Sequence, residues 1–264
     1  MIDVHCHLNF HSFEKDYDEV IKDAFEAGVT KIINVGTKID SSEKAVELAQ
    51  KYPNLYAIIG VHPHHADKLE NNWIQKLQSL AKKPKVVAIG EIGMDYYSYK
   101  SNNIVDPKLQ KEVFIKQIEL AHKLKLPLQI HNRQAGKDII DILINHKSLI
   151  LNPPGMFHCF AGSIEILKSA LQMGFYIGFD GNITYSGLAP GEETDLKDLV
   201  KYTPLDRIVT ETDSPYLSPL PYRGSRNVPS YVIITAKFIA EIKGITFQDL
   251  EAKTTKNAIK LFAL

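Results

Sequence analysis

Two histidines close to the start of the chain have the spacing of metal ligands. His5 and His7 lie in the sequence IDVHCHL, whose β-branched and apolar residues are typical of a strand. Because side chains alternate across a strand, we expect Asp3, His5 and His7 on one face. The other face, which should pack against a covering layer, would carry Ile2, Val4, Cys6 and Leu8. Imidazoles at i and i+2 can bind one cation or simply form hydrogen bonds in a core, and the spacing alone leaves both interpretations open.

Further histidines and carboxylates stand where other predicted strands end. Seven of the ten histidines occupy such positions, although any single one of them is more often a core or surface residue than a ligand. That interpretation does not explain why the ends of several different strands carry them. In an α/β barrel the catalytic residues collect at these carboxyl ends. The candidates are His5, His7, His62, His64, His65, Glu91, His131, His158, Glu211 and Asp213.

Strand and helix patterns alternate along the whole chain. Short β-branched or apolar runs predict strands at 2–8, 31–36, 55–61, 86–92, 127–131, 155–160, 175–180 and 207–212. Helical periodicity predicts helices near 15–27, 41–51, 71–82, 107–125, 135–147, 163–173, 193–201, 229–243 and 246–262. Eight strand–helix units predict a (β/α)8 TIM barrel with an extra C-terminal helix, and a doubly wound open sheet is the alternative.

The composition is that of a soluble globular protein. The 264 residues suffice for a single barrel domain over 1–264, with 44% hydrophobic and 23% charged residues. No apolar run approaches the roughly 20 residues of a membrane helix, so we expect no membrane partner. The first strand leaves no room for a signal peptide, and we interpret Cys6 and Cys159 as small core residues, which favours a cytoplasmic location. Basic and acidic residues both number 31, so a polyanion would have to bind at a local site.

The clustered ligand types favour a site with two divalent ions. Two ions that share a carboxylate can bind a phosphate, activate a water molecule and stabilise the leaving oxygen. Many binuclear barrel hydrolases carry a modified lysine on the fourth strand, whereas this chain has Glu91 there, so we expect a carboxylate bridge. Histidine and carboxylate ligands suit Zn, Mn, Fe or Ni, and Mg is an alternative that prefers oxygen.

Six motifs resemble those of the TatD-type metal-dependent deoxyribonucleases of the amidohydrolase superfamily. They run from Ile2 to Pro229 in the order IDVHCHL, IGVHPHHA, AIGEIGMDYY, PLQIHNRQA, FHCFAGS and ETDSPYLSPLPYRGSRNVP. The resemblance covers essentially the whole chain, and the motifs together are far more specific than HxH alone. It implies a TIM barrel that holds a pair of divalent ions such as Mg, Mn or Zn.

The resemblance also implies roles for individual residues. One ion would be held by His5, His7, Glu91 and Asp213. The other would be held by Glu91, His131 and His158, with Glu91 bridging the two. Asp213 would also orient or deprotonate the attacking water, and His62 resembles the phosphate-side histidine of the family. The candidates for phosphate contacts are three of the four arginines of the chain, Arg133, Arg223 and Arg226.

Three positions depart from the family pattern. Ser225 replaces a lysine in RGSRN, which could weaken binding to a nucleic-acid backbone. Gln134 replaces an aspartate and removes a charge that could fix Arg133, although we do not expect it to abolish metal binding. Met94 replaces a leucine of similar volume, and we expect no effect.

Several further residues keep two interpretations. Glu211 shares the strand face of Asp213 and could accept a hydrogen bond from a ligand imidazole or serve a structural role, and Asp3 has the same alternatives. His64 and His65 are expected to be solvated. Tyrosines at a site mouth can stack on unpaired bases, although loop packing is the favoured interpretation. They are Tyr96, Tyr97, Tyr99, Tyr216 and Tyr222.

The leading functional hypothesis is a phosphodiesterase that trims single-stranded DNA from 3′ to 5′. An activated water would attack phosphorus in line, while ions and arginines stabilise the charged transition state. A second hypothesis keeps the ion pair but changes the bond to an amide, lactone or ester, including that of D-aminoacyl-tRNA. The three arginines near the site favour a phosphate-containing substrate over an amide. The third hypothesis, a metal- or partner-binding protein without catalysis, is disfavoured because every ligand position is filled. The neutral charge favours a monomer.

Overall fold

Eight parallel strands form the centre of the fold. The computed structural model describes residues 1–99, 103–188, 191–192 and 194–264, so the predicted helix start at 193 lies outside the described residues. The strands pair in chain order from β1 to β8. Their bounds are β1 Ile2–Cys6, β2 Lys31–Val35, β3 Leu55–Ile59, β4 Val86–Asp95, β5 Leu128–Arg133, β6 Gly155–Phe157, β7 Tyr176–Phe179 and β8 Ile208–Thr210.

The last strand returns to the first and closes the sheet. Cys6 bridges Ser214 in parallel. The main-chain N–H of His7 donates to the Ser214 carbonyl at 2.7 Å, and that of Asp213 donates to the His5 carbonyl at 2.9 Å. These bonds confirm the predicted (β/α)8 barrel and exclude the open sheet.

Helices follow each strand and surround the barrel. Their bounds are α1 Tyr17–Glu26, α2 Ile39–Lys51, α3 Trp73–Leu80, α4 Pro107–Leu124, α5 Gly136–Asn145, α6 Ile164–Gln172, α7 Leu196–Tyr202, α8 Val232–Lys243 and α9 Phe247–Phe262. The predicted extra C-terminal helix is α9, which begins at the N-cap Thr246. In the part of the chain that the structure describes, no helix has the length and apolar character to cross a membrane.

The apolar residues of β1 lie in two separate clusters, which corrects the predicted strand face. Ile2 and Val4 belong to an inner cluster drawn from seven strands and α9. Cys6 and Leu8 belong to the larger outer cluster between strands and helices. The pairing of β1 with β2 shifts register between Asp3 and Cys6. A bulge of this kind re-aims side chains, and strict alternation therefore fails at this position.

Strand β4 continues three residues beyond the predicted end and carries Asp95 into the barrel mouth. Its residues Gly93, Met94 and Asp95 pair with β5, with Gly93 opposite His131. Gly93 has φ +146°, and a methyl group there would lie 2.0 Å from the His131 carbonyl oxygen. Glycine is therefore required for β4 to continue along β5 past this point.

Helix α9 closes the end of the barrel opposite the histidines. Its Ala258, Leu261 and Phe262 pack with Ile2 and Val87, which lie near the starts of their strands. The α-ammonium group of Met1 adds an ion pair of 2.8 Å with Glu251 on the same helix. The C-terminal helix therefore stabilises the fold away from the site.

Replacing Phe262 with alanine tests this closure. Phe262 is 3% exposed, so Phe262→Ala should lower the free energy of unfolding by about 3–5 kcal/mol. Ile259→Ala on the same helix, at a side chain that is 41% exposed, should lower it by less than about 1 kcal/mol. Urea denaturation of both variants measures the difference. Equal losses would show that the packing of α9 under the barrel is not the stabilising contact.

Candidate metal centre

Six predicted ligands come together at the carboxyl end of the barrel. The strands β1, β4 and β5 carry His5, Glu91 and His131, whereas His7, His158 and Asp213 follow the ends of β1, β6 and β8. Four of the six side chains are nearly or fully buried, and those of His131 and Asp213 are partly buried. The convergence of strand ends that the sequence predicts is therefore present in the structure.

The first donor set consists of His5, His7 and Asp213. The Nε2 atoms of the two imidazoles lie 3.0 Å apart, and each lies 3.4 Å from Oδ1 of Asp213. The Nδ1 atom of His7 donates to the carbonyl oxygen of Val35 at 2.8 Å, so in the neutral ring Nε2 carries a lone pair. A lone pair that faces a carboxylate in a buried site requires a proton or a cation between them, and these nitrogen and oxygen donors fit a divalent metal.

The second donor set consists of Glu91, His131 and His158. Oε1 of Glu91 lies 2.8 Å from Nδ1 of His131 and 2.8 Å from Nε2 of His158. Its other oxygen, Oε2, lies 3.7 Å from Nε2 of both His5 and His7. Each oxygen of this one carboxylate therefore faces a different set of imidazoles, which is the arrangement that a bridging ligand needs.

The surrounding imidazoles determine the charge of Glu91. Burial alone would raise the pKa of this carboxyl, but nearby His158, His62 and His131 outweigh burial and hold the pKa well below its usual range. The carboxylate is therefore ionised and available as a ligand.

Asp213 has an unusual backbone conformation, because it lies in the left-handed region at φ 54°. A non-glycine residue rarely adopts this conformation, and it aims the carboxylate at the histidines of β1.

Asp95 is a site residue that the sequence reasoning missed. It is 1% exposed, and its Oδ2 accepts from Nε2 of His131 at 3.1 Å and from Nε2 of His64 at 3.0 Å. Because Nε2 of His131 donates to this carboxylate, Nδ1 of the neutral ring presents its lone pair toward Glu91. The sequence signal was present: Glu91, Gly93 and Asp95 alternate on one face of β4 once the strand is extended to its true end.

Two other predictions about residues near the site, those for His64 and Cys159, are wrong, and Asp3 has the structural one of its two predicted roles. His64 contacts Asp95 rather than solvent, with 19% of its side chain exposed. Asp3 accepts hydrogen bonds from the main chain of His5 and from Thr212, so it holds β1 to β8 rather than serving an imidazole. Cys159 is not a small core residue, because it is only partly buried and its sulfur lies within 4.8 Å of carboxylate oxygens of Asp180 and Asp213. Both cysteines are free, as expected.

His62, the predicted phosphate-side histidine, lies beside the second donor set. The Nδ1 atom of His62 accepts from the main-chain N–H of His64 at 3.1 Å, so in the neutral ring Nε2 carries the proton. Burial, followed by the neighbouring His131, lowers the pKa of His62 well below its usual value, so the ring is neutral. Nε2 therefore donates, and it lies 3.5 Å from Oε1 of Glu91.

The three arginines occupy distinct positions. Arg133 lies opposite Asp95 across β4 and β5, with its guanidinium 4.9 Å from the ring centre of Tyr97. Its Nε is buried and has no hydrogen-bond partner among the described residues. Arg226, by contrast, donates to both oxygens of Asp16, which lies 210 positions away in the sequence. Arg223 stacks at 4.0 Å over the ring of Tyr185.

The tyrosines divide between loop packing and the site mouth. Tyr222 stacks on Tyr231 at 4.5 Å, which is ordinary packing. Tyr99 donates to Asp95 at 3.1 Å and therefore supports the second donor set. Tyr216 is 54% exposed, and its ring centre lies 6.5 Å from that of His7. Of these rings, Tyr216 is the one presented to the solvent beside the first donor set.

Comparison with known proteins identifies the family of the chain. The sequence profile of the family described as "TatD related DNase" matches residues 2–263. The chain belongs to the TatD family. It is 40% identical over 265 residues to the "Uncharacterized metal-dependent hydrolase YabD" of Bacillus subtilis, covering 100% of this chain and 99% of that protein. It is 36% identical over 269 residues to the "3'-5' ssDNA/RNA exonuclease TatD" of Erwinia tasmaniensis, covering 100% of both chains.

A solved structure of the same family superposes on the whole barrel. The TatD homologue YjjV of Escherichia coli matches with a TM-score of 0.89 and 29% identity, covering 100% of this chain and 98% of that one. The chain described here is therefore a metal-dependent hydrolase that acts on ester bonds. Its clustered histidines and carboxylates are the residues that could hold divalent ions.

The orientation of His131 by Asp95 can be tested by Asp95→Asn. Loss of the carboxylate charge weakens the bond that fixes the ring, so the affinity for one divalent ion should fall about 10- to 100-fold. Equilibrium dialysis of the metal-depleted protein against Mn²⁺ measures it. Asp138→Asn is the matched control, because Asp138 accepts from Tyr96 at 2.6 Å outside the donor sets. An unchanged Mn²⁺ affinity in Asp95→Asn would contradict the assigned role.

Proposed function

We propose that this TatD-family hydrolase is a nuclease that removes nucleotides from the 3′ end of single-stranded DNA. Two divalent ions, of Mg, Mn or Zn, would bind at its six ligand residues. The observation that carries the proposal is the position of Glu91, whose two oxygens face two separate donor sets. The relative from Erwinia tasmaniensis, named as a 3′-5′ ssDNA/RNA exonuclease, supports nucleic acid as the substrate class.

The ligands of the two ions are assigned from the two donor sets. His5, His7 and Asp213 would hold one ion, His131 and His158 would hold the other, and Glu91 would bridge them. When bound, such a pair lowers the pKa of a water molecule and neutralises charge on a phosphate. The lone pairs that His7 and His131 turn toward carboxylates are the feature of the chain that fits these cations.

Asp213 is the carboxylate best suited to orient and deprotonate the attacking water. Its side chain is 14% exposed, whereas that of Glu91 is 5% exposed. A water molecule in the barrel mouth therefore reaches Asp213 more readily than Glu91. Because its backbone conformation fixes the direction of the side chain, Asp213 can hold the water in one orientation relative to phosphorus.

His62 and Arg133 are the groups that would bind the phosphate. The Nε2–H of neutral His62 can donate to a phosphate oxygen without changing its proton count. The unpartnered Nε of Arg133, together with the planar guanidinium, suits a charge-assisted bond to phosphate. Arg226 would first have to exchange its ion pair with Asp16, and a phosphate contact for Arg226 and Arg223 stays a prediction.

Digestion of end-labelled DNA tests the nuclease function. Metal-depleted protein is incubated with 5′-labelled single-stranded DNA, with Mg²⁺ or Mn²⁺ added back. We expect a ladder that shortens from the 3′ end only with metal, and at least about a 100-fold loss of rate in Glu91→Ala. A matched RNA strand in the same assay defines the sugar preference. Protein that binds two ions but degrades neither strand would contradict the proposal and favour an amide, ester or aminoacyl-tRNA substrate.

The two arginine environments give a paired prediction. Arg133→Gln should raise KM for single-stranded DNA about tenfold or more, because a charged hydrogen bond to phosphate is lost. Arg226→Gln should change KM less than about threefold, because the guanidinium of Arg226 is paired with Asp16. Steady-state kinetics on one oligonucleotide measures both. A larger effect from Arg226 would reverse the assignment of the phosphate contact.

A further inference from the structure

Two of the ligand histidines stack face to face although they belong to different donor sets. The rings of His5 and His158 lie 4.0 Å apart between centres, with 11° between their planes. Nε2 of His5 faces Asp213 at 3.4 Å, and Nε2 of His158 faces Glu91 at 2.8 Å. Because the Nε2 atoms turn toward the donor sets, the proton of each neutral ring would reside on Nδ1.

These two Nδ1 atoms are donors without an acceptor. Both are buried and have no hydrogen-bond partner among the residues that the structure describes. The other two ligand imidazoles have hydrogen-bond acceptors, since His7 donates to the carbonyl oxygen of Val35 at 2.8 Å and His131 donates to Asp95 at 3.1 Å. Buried polar groups are almost always hydrogen-bonded, so a matching acceptor is expected near His5 and His158.

Glu211 is that acceptor by position and by chemistry. It is fully buried, and one of its oxygens accepts from the main-chain N–H of Cys159. The other oxygen, Oε2, has no partner in the described part of the chain. One carboxylate oxygen of Glu211 and one ring nitrogen from each of His5 and His158 lie within 4.8 Å of one another. The unpartnered atoms thus complement one another as two donors and one acceptor.

The sequence makes room for this carboxylate at Gly178 on β7. A methyl group at this position would lie 2.4 Å from Oε1 of Glu211 and 2.6 Å from the end of the Met156 side chain. Glycine therefore allows Glu211 to lie inside the barrel, beneath the stacked rings. A glutamate held here only to bind the Cys159 N–H would not need a free second oxygen beside two imidazoles.

We propose that Glu211 is a positioning residue shared by His5 and His158, and that it couples the binding of the two ions. The inference rests on the ligand sets proposed above. An ion bound through one ring fixes the Nδ1–H of that ring and, with it, the direction of Glu211. The carboxylate is then already oriented for the second ring, so the second ion binds more tightly than the first.

The substitution Glu211→Gln separates this role from a merely structural one. Glutamine has nearly the same shape, and its carbonyl oxygen can still accept from the Cys159 N–H. Its amide nitrogen is a donor, however, and would face the Nδ1–H donors of His5 and His158. The variant therefore keeps the structural hydrogen bond and removes the shared acceptor.

Metal binding by full-length, metal-depleted protein tests the proposal directly. Equilibrium dialysis against Mn²⁺, together with the visible absorption of bound Co²⁺, gives the stoichiometry, affinity and Hill coefficient. We expect two ions with a Hill coefficient above 1 in the unmodified protein. In Glu211→Gln, both ions should bind about 10- to 100-fold more weakly, with a Hill coefficient no greater than 1. Asp95→Asn should weaken one ion only, because Asp95 serves His131 alone among the ligands.

Two results would overturn the proposal: unchanged affinity for both ions in Glu211→Gln, or a loss confined to one ion. Thermal unfolding of the metal-free variant shows whether it folds. If it does not, Gly178→Ala provides the second variant, because it displaces the side chain of Glu211 without changing its chemistry and should also abolish coupling. Nuclease activity is assayed separately. Cooperative binding of two ions without nuclease activity would overturn only the proposed function, whereas nuclease activity with independent ions would overturn only the role of Glu211.

Discussion

The two oxygens of Glu91 face imidazoles on opposite sides, and the rest of the site depends on this contact. A buried carboxylate is unfavourable unless charge compensates it, and here the compensation comes from rings on several strands. One side is formed by histidines at the end of β1, and the other by histidines at the ends of β5 and β6. A barrel is suited to this demand, because closing the sheet brings strands that are distant in the sequence around one central side chain.

A second group of carboxylates surrounds the ligands and controls their orientation. Asp95, the last residue of β4, supports His131, and a carboxylate oxygen of Glu211 lies within 4.8 Å of a ring nitrogen of both His5 and His158. Main-chain positions determine where these groups lie, through Gly93 in β4 and Gly178 in β7. The ligands and their supporting residues therefore come from the same few strand ends, so the fold and the site are specified together.

The predictability of these features depends on the range of the interaction that produces them. The succession of strand and helix patterns predicted the barrel and the convergence of histidines and carboxylates at the strand ends, since hydrophobic periodicity is local. The choice of six ligands among these residues came from the family resemblance. The bulge in β1 depends on how β1 pairs with β2, and the extension of β4 to Asp95 depends on β5. Similarly, the ion pair of Arg226 with Asp16 joins residues 210 positions apart. Sequence patterns show which residues can share a strand face, as with Glu91, Gly93 and Asp95, but not which strands pair or which distant side chains meet. These features were therefore missed or left open at the level of the sequence.

The hydrogen bond from His7 to the carbonyl oxygen of Val35 differs in kind from those of the other ligands. The acceptor belongs to the peptide backbone of β2, so no replacement of the Val35 side chain can remove it. The orientation of His7 is consequently protected against point mutation, whereas that of His131 is lost with one substitution at Asp95. Substituting each residue of this centre in turn would therefore detect the hydrogen bond from His131 to Asp95 but not the one from His7 to the Val35 carbonyl. Both hydrogen bonds nevertheless direct a ring nitrogen into the same cluster.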